Sequence, residues 1–328
     1  MHPLRSRCLQ LASARRLASG LARLAQAKEE AAKTAEWPSA LRAVLPFVGL
    51  AGVGTAGHAF YDGLWVPLLR DGQSAEEAAR QAEPLLDAHL AGTALTHLER
   101  GEVVVVDGVL SATLLADLQR ELQSLASTPG GLLPNPKVQA GNTEVRTDRV
   151  CYLRDPASFS PTDEGQVLGG AALQLCHRRL RATALVLETG SQQASRRRTF
   201  VVPAWTQLAQ YTDGSGFYKW HTDGLGEESG RFGPLGWYFW LQRGAVRRRS
   251  ITGILYLNEE DWPSTAGGAL RCRAAAAPLR GPPLPSTAGI AEVLPKGGRL
   301  VLFDSHKIEH EVVATRQDRW ALTVWLHE

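Results

Sequence analysis

Arg319-Trp320-Ala321-Leu322-Thr323-Val324-Trp325-Leu326 is the stretch on which the reading of this chain turns. On a β-strand, successive side chains point to opposite faces. One face of this segment is then Trp320, Leu322, Val324 and Leu326, all apolar. The other carries Arg319, Ala321, Thr323 and Trp325. A lone arginine aimed into the interior of a β-structure needs an anion, because an unpaired buried charge is costly. The guanidinium fork matches a carboxylate, and a dicarboxylate would supply one.

Working outward, His310 stands nine residues before Arg319, and His221-Thr222-Asp223 begins 89 residues before His310. If the latter lies on a strand, His221 and Asp223 share a face and can meet one metal ion. Two histidines and one carboxylate on one face of an octahedral metal form the ligand set of non-haem Fe(II) oxygenases, with positions left open for a bidentate ligand and O2. A structural zinc site or unrelated surface residues are the plainer alternatives. Alone, the His-x-Asp signal is weak in a chain with nine histidines. Around these residues, β-type runs recur at 199–202, 207–211, 251–257, 269–273, 299–303, 311–314 and 320–326, pointing to an all-β sandwich or barrel with supporting helices. The run at 251–257 places Thr252, Ile254 and Tyr256 on one face, offering the Tyr256 hydroxyl as a second carboxylate donor. Residues 274–287, rich in Ala and Pro, read as loop.

Upstream, the pattern is mostly helical. Ser74 and Glu77 form a capping pattern for a helix over 74–98. Val103-Val104-Val105-Val106 reads as a strand, Gly108 as a turn, and Ser111 as the cap of a helix over 112–126. A Pro/Gly-rich loop over 128–141, a strand over 145–153 and a helix over 165–188 follow. Residues 43–61 carry no charged side chain apart from His58 and are long enough to cross a bilayer. Pro46 and four glycines dilute the segment, and a buried helical hairpin is the preferred reading over membrane association. No acidic residue precedes Glu29, while Arg5, Arg7, Arg15, Arg16, Arg23 and Lys28 are basic. That composition is expected of an organellar import sequence, for the mitochondrion ahead of the chloroplast, with a cytoplasmic protein otherwise. The organisation expected is residues 1–40 as transit peptide or disordered tail, 41–100 as a helical segment, and 101–328 as the catalytic domain.

Several pieces in order resemble the Fe(II)/2-oxoglutarate dioxygenases, and within them the prolyl 4-hydroxylases of the hypoxia-inducible-factor type. They are Val145-Arg-Thr-Asp-Arg-Val-Cys-Tyr-Leu153; Tyr211-x9-His221-x-Asp223; Thr252-x3-Tyr256-Leu-Asn258; Asp261-Trp262; Gly267-Gly268-Ala-Leu270; Pro295-x3-Arg299-Leu-Val-Leu-Phe303; His310-Glu-Val312; and Arg319-x3-Thr323-Val-Trp325. The resemblance implies an α+β fold: a double-stranded β-helix (jelly roll) core with supporting helices, behind a helical or disordered N-terminal segment. It implies Fe(II) held by His221, Asp223 and His310. It also implies 2-oxoglutarate paired with Arg319 and Tyr256, and a co-substrate pocket lined by Tyr211 and Thr323. O2 is the second co-substrate, and L-ascorbate keeps the iron reduced. The reaction implied is oxidative decarboxylation of 2-oxoglutarate to succinate and CO2, coupled to hydroxylation of a prolyl residue in a peptide or protein. Arg249 matches a basic residue near the substrate mouth.

This sequence departs from the resemblance in a longer connection over 224–249, with Trp237 and Trp240 as candidate substrate contacts, and in the loop over 274–292. Loops beside a site choose substrates. The same chemistry on nucleic acid or a small molecule is therefore an alternative, motivated by the basic triplets 196–198 and 247–249. A catalytically dead jelly-roll binding module is another. Across 328 residues, 36 basic side chains against 33 acidic give a net charge of only +3, too little to imply a nucleic-acid partner by itself. Hydrophobic residues make up 44% and charged residues 21%, which excludes wholesale disorder and coiled-coil or collagen character. Cysteines at 8, 151, 176 and 272 form no CxxC pair, so neither a zinc-finger set nor a disulfide scaffold fits. The oligomeric state is not legible in the sequence.

Overall fold

In the computed structural model, the described residues are 80–139, 141, 143–154, 166–191, 198–200, 205–212, 214, 216–224 and 249–328. The expected import sequence (1–40), the apolar segment 43–61, the Ser74/Glu77 cap, Trp237 and Trp240 lie outside them. So do residues 196, 197, 247 and 248 of the basic triplets.

Helix α1 (Ala88–Glu99) starts where Asp87 accepts a hydrogen bond from the Leu90 amide at 2.8 Å. Its buried side chains, Ala91, Ala94, Leu95 and Leu98, follow helical spacing. The expected helix over 74–98 is thus corrected: residues 82–87 are not helical, and Pro84 among them has no backbone N–H to donate. Strand β1 (Val103–Val106) follows, then helix α2 (Ala112–Ser127), capped by Ser111 as expected. The loop expected over 128–141 contains a two-residue strand β2 (Leu133–Pro134) and one helical turn, α3 (Pro136–Gln139). Strand β3 (Arg149–Arg154) starts later than expected, leaving Arg146 in only an isolated bridge to Tyr218. Strand β4 (Gln166–Val167) pairs with β3, so helix α4 (Ala171–Gly190) begins six residues after the expected start at 165. Its N-cap, Gly170, has no side chain to offer. The Glu121 carboxylate of α2 accepts from the Ala172 and Leu173 amides instead, each at 2.9 Å.

The remaining strands are β5 (Trp205–Tyr211), β6 (Tyr218–His221), β7 (Arg249–Tyr256), β8 (Leu270–Cys272), β9 (Ala276–Arg280), β10 (Ser286–Thr287), β11 (Ile290–Val293), β12 (Leu300–Asp304), β13 (His310–Val312) and β14 (Arg319–His327). The loop expected over 274–287 is therefore a second correction. Strand β9 lies parallel to β1, with Val103 opposite Ala276, and β10 pairs with β11. Alanine and proline have weak strand propensity, so only the tertiary pairing makes this segment a strand. Residues 201 and 202 of the expected run at 199–202 are outside the described residues, and 199 and 200 are not in a strand.

The strands form two facing sheets. The nine-stranded sheet has the order β2-β3-β5-β14-β7-β12-β1-β9, with β4 beside β3; the five-stranded sheet is β10-β11-β8-β13-β6. This is the jelly roll expected, and the strand period sorts its cores. Val104, Val106, Leu255, Leu300, Leu302, Trp320, Leu322, Val324 and Leu326 pack under the helices. Val103, Val105, Ile254, Tyr256, Val301, Phe303 and Ala321 pack between the sheets with Leu270, Cys272 and Val312. Each fully buried leucine or valine contributes about 1.5–3 kcal/mol relative to exposure, so both cores resist register slips that would turn these faces over. Among the described residues, no helix is long and apolar enough to cross a membrane.

Candidate active site

His221 ends β6 and His310 opens β13, and the two are directly opposed in the antiparallel register. Strand pairing therefore joins residues far apart in sequence and sets their rings 4.2 Å apart, centroid to centroid. His221 Nδ1 lies 2.8 Å from the Lys219 carbonyl, and His310 Nδ1 lies 3.2 Å from that of Ile308. A carbonyl can only accept, so both Nδ1 atoms donate, which in a neutral imidazole leaves the lone pair on Nε2.

Asp223 lies two residues beyond β6, in a bend. The expectation that His221 and Asp223 share a strand face is corrected, yet the two still meet. Asp223 Oδ1 is 3.6 Å from His221 Nε2, and Oδ2 is 3.8 Å from His310 Nε2. One ligand atom from each of the three residues lies within 4.8 Å of the others. The bend is held from several sides. Thr252 Oγ1 donates to Asp223 Oδ2 at 2.8 Å, Arg249 Nη1 donates to the Asp223 carbonyl at 3.2 Å, and the Gly224 amide donates to the Ser305 carbonyl at 2.6 Å. A side chain at Gly224 would place a Cβ 2.4 Å from His306 Nδ1, so this close approach requires glycine. His306 packs on the bend and is not part of the ligand set.

Burial opposes the charge on Asp223, but the imidazoles of His310 and His221 and the Arg249 guanidinium hold its carboxyl well below the usual carboxylate range. Burial, reinforced by His221, pushes His310 down to about 4 against the opposing pull of Asp223. At neutral pH the set is thus one carboxylate and a neutral His310 imidazole, the protonation a metal requires.

Arg319 opens β14 as expected and is 1% exposed. Its Nε donates to the Gly268 carbonyl at 2.8 Å, and Nη2 donates to Tyr256 Oη at 3.3 Å. Its guanidinium lies 4.8 Å from the centre of the Tyr211 ring. Among the described residues it has no carboxylate partner. Gly267 and Gly268 have φ of 67° and 69°, which suits glycine, and a Cβ on Gly268 would come within 3.1 Å of Arg319 Cδ.

The triad and Arg319 line one cavity of about 470 Å³, the scale of a small-ligand site. Tyr211, Thr323 and Arg249 also line it. Tyr256 is fully buried behind Arg319, off the cavity wall, so it touches the guanidinium rather than facing the open volume. Sequence reasoning gave no individual role to three further wall residues, although the quoted motifs contain two of them. Tyr218 stacks on His221 with ring centroids 3.5 Å apart, and the Arg146 guanidinium covers its other face at 3.9 Å. Arg146 is itself gripped by Asp148 through Nε–Oδ1 at 2.5 Å and Nη2–Oδ2 at 2.6 Å. Trp325 is covered by the Arg249 guanidinium at 4.1 Å. The face alternation of the β14 segment already placed Trp325 beside Arg319; Tyr218 had no comparable signal.

Two imidazoles offering Nε2 and one carboxylate suit a divalent first-row metal, and a structural zinc would want a fourth protein ligand that this cluster does not supply among the described residues. The buried guanidinium, without a carboxylate partner among the described residues, suits the far carboxylate of a dicarboxylate. The residues thus fit Fe(II) and 2-oxoglutarate.

Comparison with known proteins agrees. Residues 206–327 match the family model of the 2OG-Fe(II) oxygenase superfamily. A search of curated proteins gives no match. A prolyl hydroxylase from Trichoplax adhaerens, in complex with a hypoxia inducible factor oxygen degradation domain peptide fragment, is similar in structure. It has 16% identity and a TM-score of 0.50, over 73% of this chain and 90% of that one. A Pseudomonas putida prolyl-4-hydroxylase aligns with 20% identity and a TM-score of 0.47, over 73% of this chain and 98% of that one. The His-Asp-His cluster on this jelly roll thus lies within residues 206–327, the part of the chain that matches the 2OG-Fe(II) oxygenase superfamily model.

Proposed function

We propose that this protein is an Fe(II)- and 2-oxoglutarate-dependent dioxygenase that hydroxylates a prolyl residue in a peptide or protein. The observation that carries the reading is the convergence, in one cavity, of the three ligand residues and a buried arginine with no carboxylate partner among the described residues. When bound, iron with 2-oxoglutarate and O2 supplies the oxidation of a C–H bond, releasing succinate and CO2. His221, Asp223 and His310 would hold the metal. Arg319 takes the distal carboxylate, and Tyr256, whose hydroxyl accepts from Arg319, steadies the guanidinium. Tyr211 keeps its proton, because burial pushes its hydroxyl up, and it can donate into the cavity. Ile254, Val312 and Ala321 on the walls limit water.

The prolyl substrate is supported by the aromatic side chains of Tyr218 and Trp325 on the cavity wall and by the peptide complex of the Trichoplax relative. Ascorbate is proposed as the reductant that keeps iron ferrous, and residues 1–40 as an import sequence, testable by fusing them to a fluorescent reporter. The main test measures succinate formation from 2-oxoglutarate with Fe(II), together with a 16 Da mass gain on prolyl peptides. Turnover with no gain on any prolyl peptide would overturn the substrate. A folded protein that binds no iron, or activity that survives His221→Ala, would overturn the chemistry.

A further inference from the structure

His221 and His310 are oriented by strand register, but Asp223 is not. It lies in a bend beyond β6, and its carboxylate must be aimed by other contacts. One hydroxyl reaches it directly, and a second, from a separate segment, stands behind the first. Thr252 Oγ1, on β7, donates to Asp223 Oδ2 at 2.8 Å and lies 2.8 Å from Ser305 Oγ, just past β12. A hydroxyl carries one proton. Thr252 gives its proton to the carboxylate, so Ser305 must be the donor in the second bond. The direction is therefore fixed: Ser305 to Thr252 to Asp223.

Both hydroxyl residues are fully buried. Ser305 is pinned by its backbone, since its amide donates to the Ser250 carbonyl at 3.0 Å and its carbonyl accepts from the Gly224 amide at 2.6 Å. Thr252 is pinned by register, opposite Phe303 on β12 and Trp325 on β14. Neither hydroxyl touches the Nε2 atoms or lines the cavity. A buried hydroxyl that accepts one hydrogen bond is polarised into a better donor for the next. The contact also restrains rotation of the carboxylate.

We propose that Ser305 and Thr252 form a one-way hydroxyl relay that aims the Asp223 carboxylate and thereby sets metal affinity and ligand geometry. They are positioning residues, and the inference rests on the metal-site reading above. Partners of this kind orient metal-binding carboxylates, and their loss weakens binding.

The test uses the full chain with Co(II) as the probe, read by equilibrium titration and by its visible absorption bands. Thr252→Val keeps the shape and removes the donor. It is expected to weaken Co(II) binding about 10- to 100-fold and to shift the bands. Thr252→Ser restores the hydroxyl and is expected to bring back wild-type affinity and spectrum. Ser305→Ala leaves Thr252 able to donate, and is expected to weaken binding by less than Thr252→Val does. Wild-type affinity and bands in a folded Thr252→Val protein would overturn the relay, as would failure of Thr252→Ser to rescue. Should Thr252→Val not fold, Ser305→Ala decides: an unchanged Co(II) affinity and spectrum there overturns the relay. A wild-type protein that binds no Co(II) would instead remove the metal site itself, and the relay with it.

Discussion

Arg319 concentrates the chemistry into one side chain, and its environment sets what a substitution does. A charged hydrogen-bonded pair is worth about 1.5–3 kcal/mol, so Arg319→Ala should raise the KM for 2-oxoglutarate by roughly 10- to 100-fold while Co(II) binding without the co-substrate stays near wild type. Steady-state kinetics and a metal titration check the two halves separately. His310 gives a pH dependence. Unfolded, its imidazole titrates near its ordinary 6.5; folded and metal-free, burial and His221 delay protonation to about 4. Between those values the unfolded chain binds the extra proton, so metal-free stability should fall as pH drops through that window. Melting temperatures from pH 7 to pH 4.5 should show the decline, and His310→Gln should flatten it. At this scale the sequence was informative where a side chain's direction follows from strand period: Arg319, Thr323 and Trp325 share the cavity wall, as alternation requires. It placed Thr252 on the face of Tyr256 but gave it no role, and it was silent on Ser305, because hydroxyls are common and only the approach of β7 to the chain after β12 gives these two a partner.

Between residue and molecule, the elements show how distant segments complete each other. Helix α4 lacks a side chain at its N-cap and borrows the Glu121 carboxylate of α2. Glu121→Ala removes two hydrogen bonds to a helix N-terminus and should cost about 1–2 kcal/mol, with no change in KM for 2-oxoglutarate. Denaturant unfolding of the two proteins tests it. The Gly267-Gly268 turn should behave oppositely. In Gly268→Ala, the positive φ costs about 1 kcal/mol, and the added carbon meets Arg319 Cδ, so KM for 2-oxoglutarate should rise together with the loss of stability. Most elements were legible from local pattern: the strands at β1, β7, β12 and β14, and the helix after Ser111. Those that were not, such as β9 and the late start of α4, depend on contacts no local window contains. The alanine-rich β9 is a strand because Val103–Val106 offers it an edge, and Gln166–Val167 leaves the expected helix because β3 pairs with it.

Across the whole molecule, the ligand residues divide between the two layers. His221 and His310 belong to the five-stranded sheet and Arg319 to the nine-stranded one. Metal that binds only the folded form, at about 100 times its Kd, stabilises it by about 2.7 kcal/mol. Mn(II) should therefore raise the melting temperature by several degrees, 2-oxoglutarate should add to that only when Mn(II) is present, and EDTA should reverse both; His221→Ala should show neither rise. The division also bears on mechanics. A dicarboxylate chelating the metal at one end and held by the guanidinium at the other would rivet one leaf of the sandwich to its opposite. β6 and β13 are only four and three residues long. Their amide protons would then be the first to exchange faster when the keto acid runs short, so that a dearth of fuel would be felt as a loosening of the smaller leaf before any bond in the target is left unoxidised.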